Sequence, residues 1–267
     1  VTSIFKGTNR WKLKTMFNGC YVMITEAVKE NIVQKINPPV IIINYKAYKE
    51  AIGEQAIRLT EIVEEIANDY TSITFAIAVQ PTDIFRVAQI VSKTLVFAQH
   101  IDPVHPGAFT GSILPEAIKL SGARGTLINH SEKQLPMDKI KKTLERAREV
   151  GLITTVCADS PEKSFEVARY KPDFVAYEPP ELIGTGISVS KAKPDVLRKA
   201  VIEIEKGGEG MVIPLCGAGI STKEDVVKAL ELGTKGILVA SAVVKAKDPF
   251  AILQGFADGI MEYIEQV

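Results

Sequence analysis

The sequence has few of the features that mark secreted, membrane-spanning or nucleic-acid-binding proteins. Its three cysteines, Cys20, Cys157 and Cys216, are widely spaced and odd in number, so they resemble neither a disulfide framework nor a zinc motif. No apolar run approaches the roughly 18 residues that a transmembrane helix needs. The 32 basic and 32 acidic residues cancel, which leaves no net field to recruit nucleic acid or an anionic membrane. We therefore expect a cytoplasmic protein with no nucleic-acid or membrane partner.

Residues 1–37 differ from the rest of the chain. Residues 1–23 mix basic, polar and aromatic residues without a sustained period, and they contain the only tryptophan, Trp11. Thr25 is predicted to cap a short amphipathic helix that runs through Ile36. The segment lacks the apolar core of a secretory signal, so we do not expect it to be one. Two alternatives stay open: another kind of targeting presequence, or translation from a start codon upstream of Met23. We expect residues 1–37 to be an N-terminal extension, disordered or produced by an upstream start, and residues 38–267 to form one catalytic domain.

Eight short apolar runs follow, and segments with helical spacing separate them. The runs lie at residues 40–44, 73–79, 94–98, 125–129, 152–157, 173–178, 211–216 and 236–240. Runs that are apolar throughout suit strands buried on both faces of a parallel sheet. The helices predicted between them include 51–68, 137–150, 160–169, 193–206, 222–232 and 249–264.

This alternation predicts the α/β class and a closed, single-domain (β/α)8 barrel. The alternative is an open doubly wound sheet, whose first strand usually leads into a Gly-x-Gly-x-x-Gly turn. Here the first strand leads instead into Asn44, Tyr45 and Lys46, which favours the barrel.

The first candidate for catalysis is Glu178, which directly follows the sixth predicted strand. A carboxylate there faces the mouth of the barrel, where partial desolvation raises its pKa and favours a role as a base. Two prolines follow it, and Gly184 and Gly186 lie in the same loop. Stiff and freely rotating residues in one loop are typical of a hinged flap that excludes water during a reaction. The alternative for a lone glutamate is a solvated strand end.

His130 follows the fourth predicted strand, and a helical turn is predicted to begin directly after it. The amide dipoles of such a turn disfavour imidazolium and leave a neutral ring that can donate a hydrogen bond. The other two histidines, His100 and His105, share one loop, and their spacing matches no metal-ligand motif. We therefore expect no metal and no other cofactor.

Asn44 ends the first strand, and Lys46 follows it by two residues. Together the two side chains would hold an anionic substrate and stabilise an oxyanion in a dry pocket. Small residues end the last two strands, at Gly217–Gly219 and at Ala240 and Ser241. Small side chains let backbone N–H groups approach a phosphate, and barrels commonly hold phosphate after strands seven and eight.

From about residue 39 to the C-terminus, the chain resembles the triosephosphate isomerase family, in particular its compact archaeal form. The motifs that carry the resemblance occur in the family's order, one at each expected strand end: Asn44–Lys46, Asn129–Glu132, Tyr177–Gly186, Cys216–Ser221 and Ala240–Ser241. The resemblance implies a TIM barrel that binds a small phosphorylated triose. It also implies interconversion of D-glyceraldehyde 3-phosphate and dihydroxyacetone phosphate, through an enediolate, in glycolysis and gluconeogenesis.

The resemblance implies roles for individual residues as well. Glu178 would move a proton between neighbouring carbons while neutral His130 polarises the carbonyl, a pairing of which this family is itself a well-known example. Lys46, with Asn44, would stabilise negative charge on the substrate and the enediolate. The other implied residues are the supporting Glu132 and Gly184 and the phosphate-binding backbone groups of Ile183, Gly219, Ala240 and Ser241.

Two departures from the better-known members concern the flap and the assembly. Cys216 and Gly217–Gly219 replace a Tyr-Gly-Gly-Ser loop whose tyrosine latches the closed flap. The segment between His130 and Glu178 is shorter, as in archaeal members, which are often tetramers rather than dimers. We therefore expect a homo-oligomer, tetramer or dimer, in which Gly107–Thr110, within the loop from Asp102 to Thr110, contacts a neighbouring subunit.

Two other functions stay open from the residues alone. The first is another phosphate-binding barrel, such as an isomerase or aldolase for a larger phosphosugar, in which Lys46 would form a Schiff base. The second is a barrel without catalytic activity that serves as a binding or assembly module. Loss of Glu178, His130 or Lys46 would indicate the second function, and all three residues are present.

Overall fold

The fold is a closed barrel of eight parallel strands in the computed structural model, which describes Ile36, residues 38–179 and residues 189–266. Each strand pairs with the next along the chain, and the first pairs with the last, so the sheet has no free edge. The strands are β1 Val40–Asn44, β2 Thr74–Val79, β3 Leu95–Ala98, β4 Gly125–Ile128, β5 Ile153–Ala158, β6 Phe174–Tyr177, β7 Ile213–Cys216 and β8 Gly236–Val239.

Helices follow the strands and cover the outside of the sheet. They are α1 Glu54–Asp69, α2 Ile84–Ala88, α3 Pro115–Leu120, α4 Met137–Glu149, α5 Pro161–Ala168, α6 Val189–Ala192, α7 Pro194–Gly208, α8 Lys223–Glu231, α9 Ser241–Val244 and α10 Pro249–Gln266, with short 3-10 turns at Lys49–Ala51 and Ser131–Lys133. None of the helices in the described part of the chain combines the length and apolar character required to cross a bilayer.

The strands bury both faces, which explains why their sequences are apolar throughout rather than alternating. On β1, Val40 and Ile42 belong to the cluster of side chains inside the barrel, whereas Ile41 and Ile43 pack outward in the layer under the helices. The same division holds around the sheet, because side chains along a strand alternate between its faces. Two packed layers therefore stabilise the barrel, one inside the sheet and one between sheet and helices.

The helices follow their sequence signals. On α7, Leu197, Ala200, Val201 and Ile204 are buried at the spacing of one helical face. Helix α8 begins with a capping box, in which Thr222 and Asp225 each accept the other's backbone N–H. The caps fix where the loops end and the helices begin, and so fix the loops at the carboxyl ends of the strands.

The prediction of a (β/α)8 barrel is confirmed, and all eight predicted strands are present with ends displaced by at most two residues. The first helix begins at Glu54 rather than at Ala51, because Gly53, with a φ of 58°, interrupts the turn before it. The short helices α2, α3, α6 and α9 were not among those predicted, since four to six residues show too little of a 3.6-residue period.

Gly236 is the glycine on which closure of the barrel most depends. It pairs with Val40, has a φ of 153°, and a Cβ placed there would overlap the Val40 carbonyl oxygen. We expect Gly236→Ala to lower the free energy of unfolding by about 2 kcal/mol or more, through overpacking and backbone strain. Urea denaturation measures this loss.

The matched control is Gly255→Ala in α10, where nothing lies within 4 Å of the added methyl group. Because alanine is a better helix former than glycine, this variant should be stabilised by about 0.5–1 kcal/mol. Equal effects of the two substitutions would contradict the assignment of Gly236 as a closure point.

Candidate active site

The alternation of side chains along the strands places the polar residues of the carboxyl ends inside the barrel. Ile42 faces the interior, so Asn44, two residues later, faces it as well. In the same way Glu178 follows the interior residue Ala176 of β6. Asn44 and Glu178 are both buried, with 4% of each residue exposed.

These side chains border a cavity of about 190 Å³ at the carboxyl ends of the strands. The structure brings together there seven of the ten residues predicted for the site: Asn44, Lys46, His130, Glu178, Gly219, Ala240 and Ser241. Glu132 lies beside them and contacts Lys46 rather than the cavity. Ile183 and Gly184 lie outside the described residues.

Glu178 is held by its backbone and surrounded by groups that solvate it poorly. Its N–H donates to the carbonyl of Ala158 at 2.8 Å, and its Oε2 is buried without a hydrogen-bond partner among the described residues. Gly217 packs against the side chain, and a Cβ at that position would overlap Cγ of Glu178. Burial raises the pKa of Glu178 to about 7, against the attraction of the Lys46 ammonium. The carboxyl group is therefore poised to gain or lose a proton near neutral pH.

His130 faces Glu178 across the cavity, with Nε2 at 3.9 Å from Oε1 of the carboxyl group. On the other side of the ring, Nδ1 accepts the backbone N–H of Glu132 at 3.2 Å. Nδ1 therefore carries a lone pair, and the proton of the neutral ring is on Nε2, which points at the cavity.

The ring is neutral because burial, followed by the Lys46 ammonium, lowers the pKa of His130 to about 4, although Glu132 acts in the opposite direction. The predicted helical turn begins at Ser131, and a neutral His130 was expected from its dipoles. The direction is the expected one, but desolvation is the main cause.

Lys46 extends into the cavity from an uncommon backbone conformation, with a φ of 51°. Its Nζ forms an ion pair with Oε1 of Glu132 at 3.0 Å, and its N–H donates to Oδ1 of Asn44 at 2.9 Å. The Lys46 carbonyl accepts the side-chain amides of Gln99, at 2.8 Å, and Gln80, at 3.2 Å. Four hydrogen-bonding groups thus hold the chain where the ammonium reaches the site.

The two glutamines hold Lys46 in place, but neither of them was assigned a role from the sequence. No role was predicted for Gln99, and Gln80 was not considered. The sequence does indicate that the Gln80 side chain faces the barrel mouth, because Gln80 lies two residues beyond an interior residue of β2. Asn44 and Glu178 have the same spacing from interior residues of β1 and β6. Tyr48 was also missed, although it lines the cavity.

The opposite end of the cavity is built from backbone and small side chains. Gly219 has a φ of 73°, which favours glycine, and Oδ2 of the buried Asp225 accepts the N–H groups of Ser221 and Thr222 at 3.0 Å each. Helix α9 begins at Ser241, so its first N–H groups have no acceptor within the helix. This end of the cavity is suited to an anion.

The arrangement offers a carboxyl base, a neutral N–H donor and an ammonium group around one cavity. It has the parts for moving a proton next to a carbonyl and stabilising the resulting oxyanion. In the described part of the chain, no three His, Cys, Asp or Glu side chains are grouped as metal ligands would be.

The protonation states can be measured directly. We expect the Glu178 carboxyl carbon to titrate near pH 7 in a chain labelled with ¹³C at the glutamate carboxyl groups, because burial disfavours the ionised form. The Glu178→Gln variant identifies the signal by its absence. In ¹⁵N spectra, His130 should remain neutral, with its proton on Nε2, from pH 5.5 to pH 8. A Glu178 signal titrating near 4.5 would contradict the desolvation of the carboxyl group.

Comparisons with known proteins agree with this geometry. The family model described as triosephosphate isomerase matches residues 39–256. The triosephosphate isomerase of Saccharolobus solfataricus is 48% identical over 229 residues, which are 86% of this chain and 99% of that protein. That of Methanothermus fervidus is 47% identical over 210 residues, which are 79% and 93% of the two chains.

The fold is shared with more distant structures. The crystal structure of triosephosphate isomerase from Bartonella henselae superposes with a TM-score of 0.65, covering 86% of this chain and all of that one, at 19% identity. With the family model matching from β1 into α10 and archaeal relatives at nearly half identity, this chain belongs to the triosephosphate isomerase family.

Proposed function

We propose that this chain interconverts D-glyceraldehyde 3-phosphate and dihydroxyacetone phosphate. The observation that carries the proposal is the buried Glu178 carboxyl opposite a neutral His130, with their nearest polar atoms 3.9 Å apart across the cavity. The curated relatives that bear the name of this isomerase, at 44–48% identity, support the same reaction. The reaction belongs to glycolysis and gluconeogenesis.

Glu178 acts as the base. It removes a proton from the carbon beside the substrate carbonyl and returns it to the neighbouring carbon, so that aldehyde and ketone exchange through an enediolate. A pKa of about 7 suits both proton removal and proton return. Near neutral pH the ionised and protonated forms of the carboxyl group have similar free energies, so neither step is strongly disfavoured.

His130 acts as the electrophile on the other side of the substrate. Its Nε2–H donates to the carbonyl oxygen and, as a neutral acid, can pass a proton between the two oxygens of the enediolate. The Glu132 N–H fixes the tautomer that this role requires, since it occupies Nδ1.

Lys46 and Asn44 stabilise the negative charge that develops on the substrate oxygens. The ammonium is held by the carboxylate of Glu132, which is thereby a supporting residue. The left-handed backbone at Lys46 and its amide contacts orient the group before substrate arrives, and preorganised charge is the largest contribution in many enzymes.

The phosphate group binds at the opposite end of the cavity, through the backbone N–H groups of Gly219, Ala240 and Ser241. Small side chains and the start of α9 support this assignment. We include the backbone of Ile183 in the phosphate site and Gly184 as a supporting residue of the flap, on the strength of the Tyr177–Gly186 motif.

We further propose that residues 38–267 are the catalytic domain and residues 1–37 an extension to it. The family model begins at residue 39, and 229 residues of this chain cover 99% of the Saccharolobus relative. A cytoplasmic location fits the two described cysteines, Cys157 and Cys216, which are both free thiols.

We also propose that the chain forms a homo-oligomer, tetramer or dimer, through the loop Asp102–Thr110. Phe109 in this loop is 51% exposed, so its ring is accessible to a second subunit. The loop is anchored to α4, because Nε of the buried Arg146 donates to the Val104 carbonyl at 3.0 Å. An anchored loop with an exposed aromatic tip suits a subunit contact.

The proposed reaction is tested by a coupled assay of triose phosphate isomerisation. Glu178→Asp withdraws the carboxylate by one methylene, so kcat should fall about a hundredfold while KM changes little, since misplacement by about 1 Å has this effect. The matched control is Glu205→Asp on the exposed face of α7, which should leave kcat unchanged.

Absence of isomerisation by the unmodified chain, or equal rates for the two variants, would refute the proposal. Borohydride added with substrate separates the aldolase alternative, because capture of a Schiff base at Lys46 would assign that chemistry instead. We expect no capture, because the Lys46 side-chain nitrogen is held in an ion pair with Glu132 at 3.0 Å.

A further inference from the structure

A pair of side chains outside the catalytic group joins the loops of two neighbouring strands. The ammonium of Lys245 lies 4.0 Å from the centre of the Tyr48 ring, within the range of a cation–π interaction. Tyr48 belongs to the loop after β1, and Lys245 directly follows α9, after β8. Strands β1 and β8 pair in the barrel, so this Tyr48–Lys245 pair connects the loop that carries Lys46 to the phosphate end.

Tyr48 lines the cavity, and the ammonium of the exposed Lys245 contacts its ring. Lys245 is exposed and, among the described residues, has no carboxylate within ion-pair distance. Its N–H donates to the Ser241 carbonyl at 3.0 Å, which places Lys245 one helical turn from the residue that begins α9. The ring of Tyr48 thus holds a positive charge that no carboxylate of the described residues neutralises.

This charge is significant because the other sources of attraction for an anion are weak. The formal net charge of the chain is zero, so the molecule as a whole does not steer an anion. The cavity's own lysine, Lys46, is paired with Glu132, which offsets much of its field at a distance. Among the described residues, Lys245 is therefore a cation without a carboxylate partner, and it contacts the ring of Tyr48, which lines the cavity.

We propose that the Tyr48–Lys245 pair attracts the phosphate dianion of the substrate to the cavity, with Tyr48 as the positioning residue for the Lys245 ammonium. The inference rests on the proposed function for the identity of the substrate. The pair acts on association and leaves the chemical step to Glu178 and His130. A unit charge about 10 Å from a dianion in water changes its association by about fourfold, and by less as salt screens it.

The first test compares Lys245→Met with Lys247→Met, which removes an equally exposed lysine two residues later. At an ionic strength of about 10 mM, Lys245→Met should lower kcat/KM about two- to fourfold with kcat unchanged. The difference should disappear above about 0.5 M salt, where the screening length falls to a few ångström. Lys247→Met should keep the parental kcat/KM at both ionic strengths.

The role of the ring is tested at Tyr48 itself. Tyr48→Phe keeps the aromatic face, so the salt-dependent part of kcat/KM should persist, whereas Tyr48→Leu releases the ammonium and should reduce that part. In the Lys245→Met background, Tyr48→Leu should produce no further salt-dependent loss, because the two residues act through one charge. A structural effect of Tyr48→Leu would instead persist in that background and at high salt.

Binding of inorganic phosphate, measured by calorimetry at low salt, provides a readout without turnover. Weaker phosphate binding by Lys245→Met than by Lys247→Met would support the pair even if the unmodified chain failed to isomerise triose phosphates. The inference is overturned if Lys245→Met and Lys247→Met have equal kcat/KM and equal phosphate affinity at both ionic strengths. If the unmodified chain still isomerises triose phosphates, the proposed function stands in that case.

Discussion

Burial of one carboxyl group at the carboxyl end of β6 is the constraint on which the site depends. Glu178 is 4% exposed, and its Oε2 has no partner among the described residues. A pKa raised from 4.5 to about 7 corresponds to a cost on the order of 3 kcal/mol for ionising the group in the folded chain. The two packed layers of the barrel supply the stability that tolerates this cost.

The neighbours of Glu178 make sense in relation to that constraint. Gly217 leaves room for its side chain, and the neutral ring of His130 supplies a hydrogen-bond donor without a full positive charge that would lower the carboxyl pKa. Lys46 brings the necessary positive charge but shares it with Glu132, which lies at the solvent side. The pKa of Glu178 therefore stays raised although a cation lies in the same cavity.

The fold and the centre of the site could be predicted from sequence because they rest on short-range rules. Strands buried on both faces are apolar throughout, and polar residues two positions beyond an interior side chain must face the barrel mouth, which applies to Asn44 and Glu178. The family motifs then identified which strand ends belong together. Seven predicted residues border one cavity as a result.

Interactions between loops distant in sequence were beyond that reasoning. The two side-chain amides that donate to the Lys46 carbonyl belong to Gln80 and Gln99, which directly follow β2 and β3. The ammonium group that contacts the Tyr48 ring belongs to a residue near the C-terminal end of the chain. The cause of the neutral state of His130 was misjudged for the same reason, because desolvation depends on what the whole barrel packs around the ring. Such quantities require coordinates.

The central claim is that Glu178 carries a proton between adjacent carbons of one substrate, and isomerisation in D₂O tests it most directly. A base that exchanges with solvent while it holds the proton must introduce deuterium at the carbon to which the proton returns. The account predicts product carrying deuterium at that carbon, and Glu178→Gln should remove both turnover and labelling. Isomerisation by Glu178→Gln at the parental rate, with deuterium still introduced at that carbon, would show that another group moves the proton and would contradict the account.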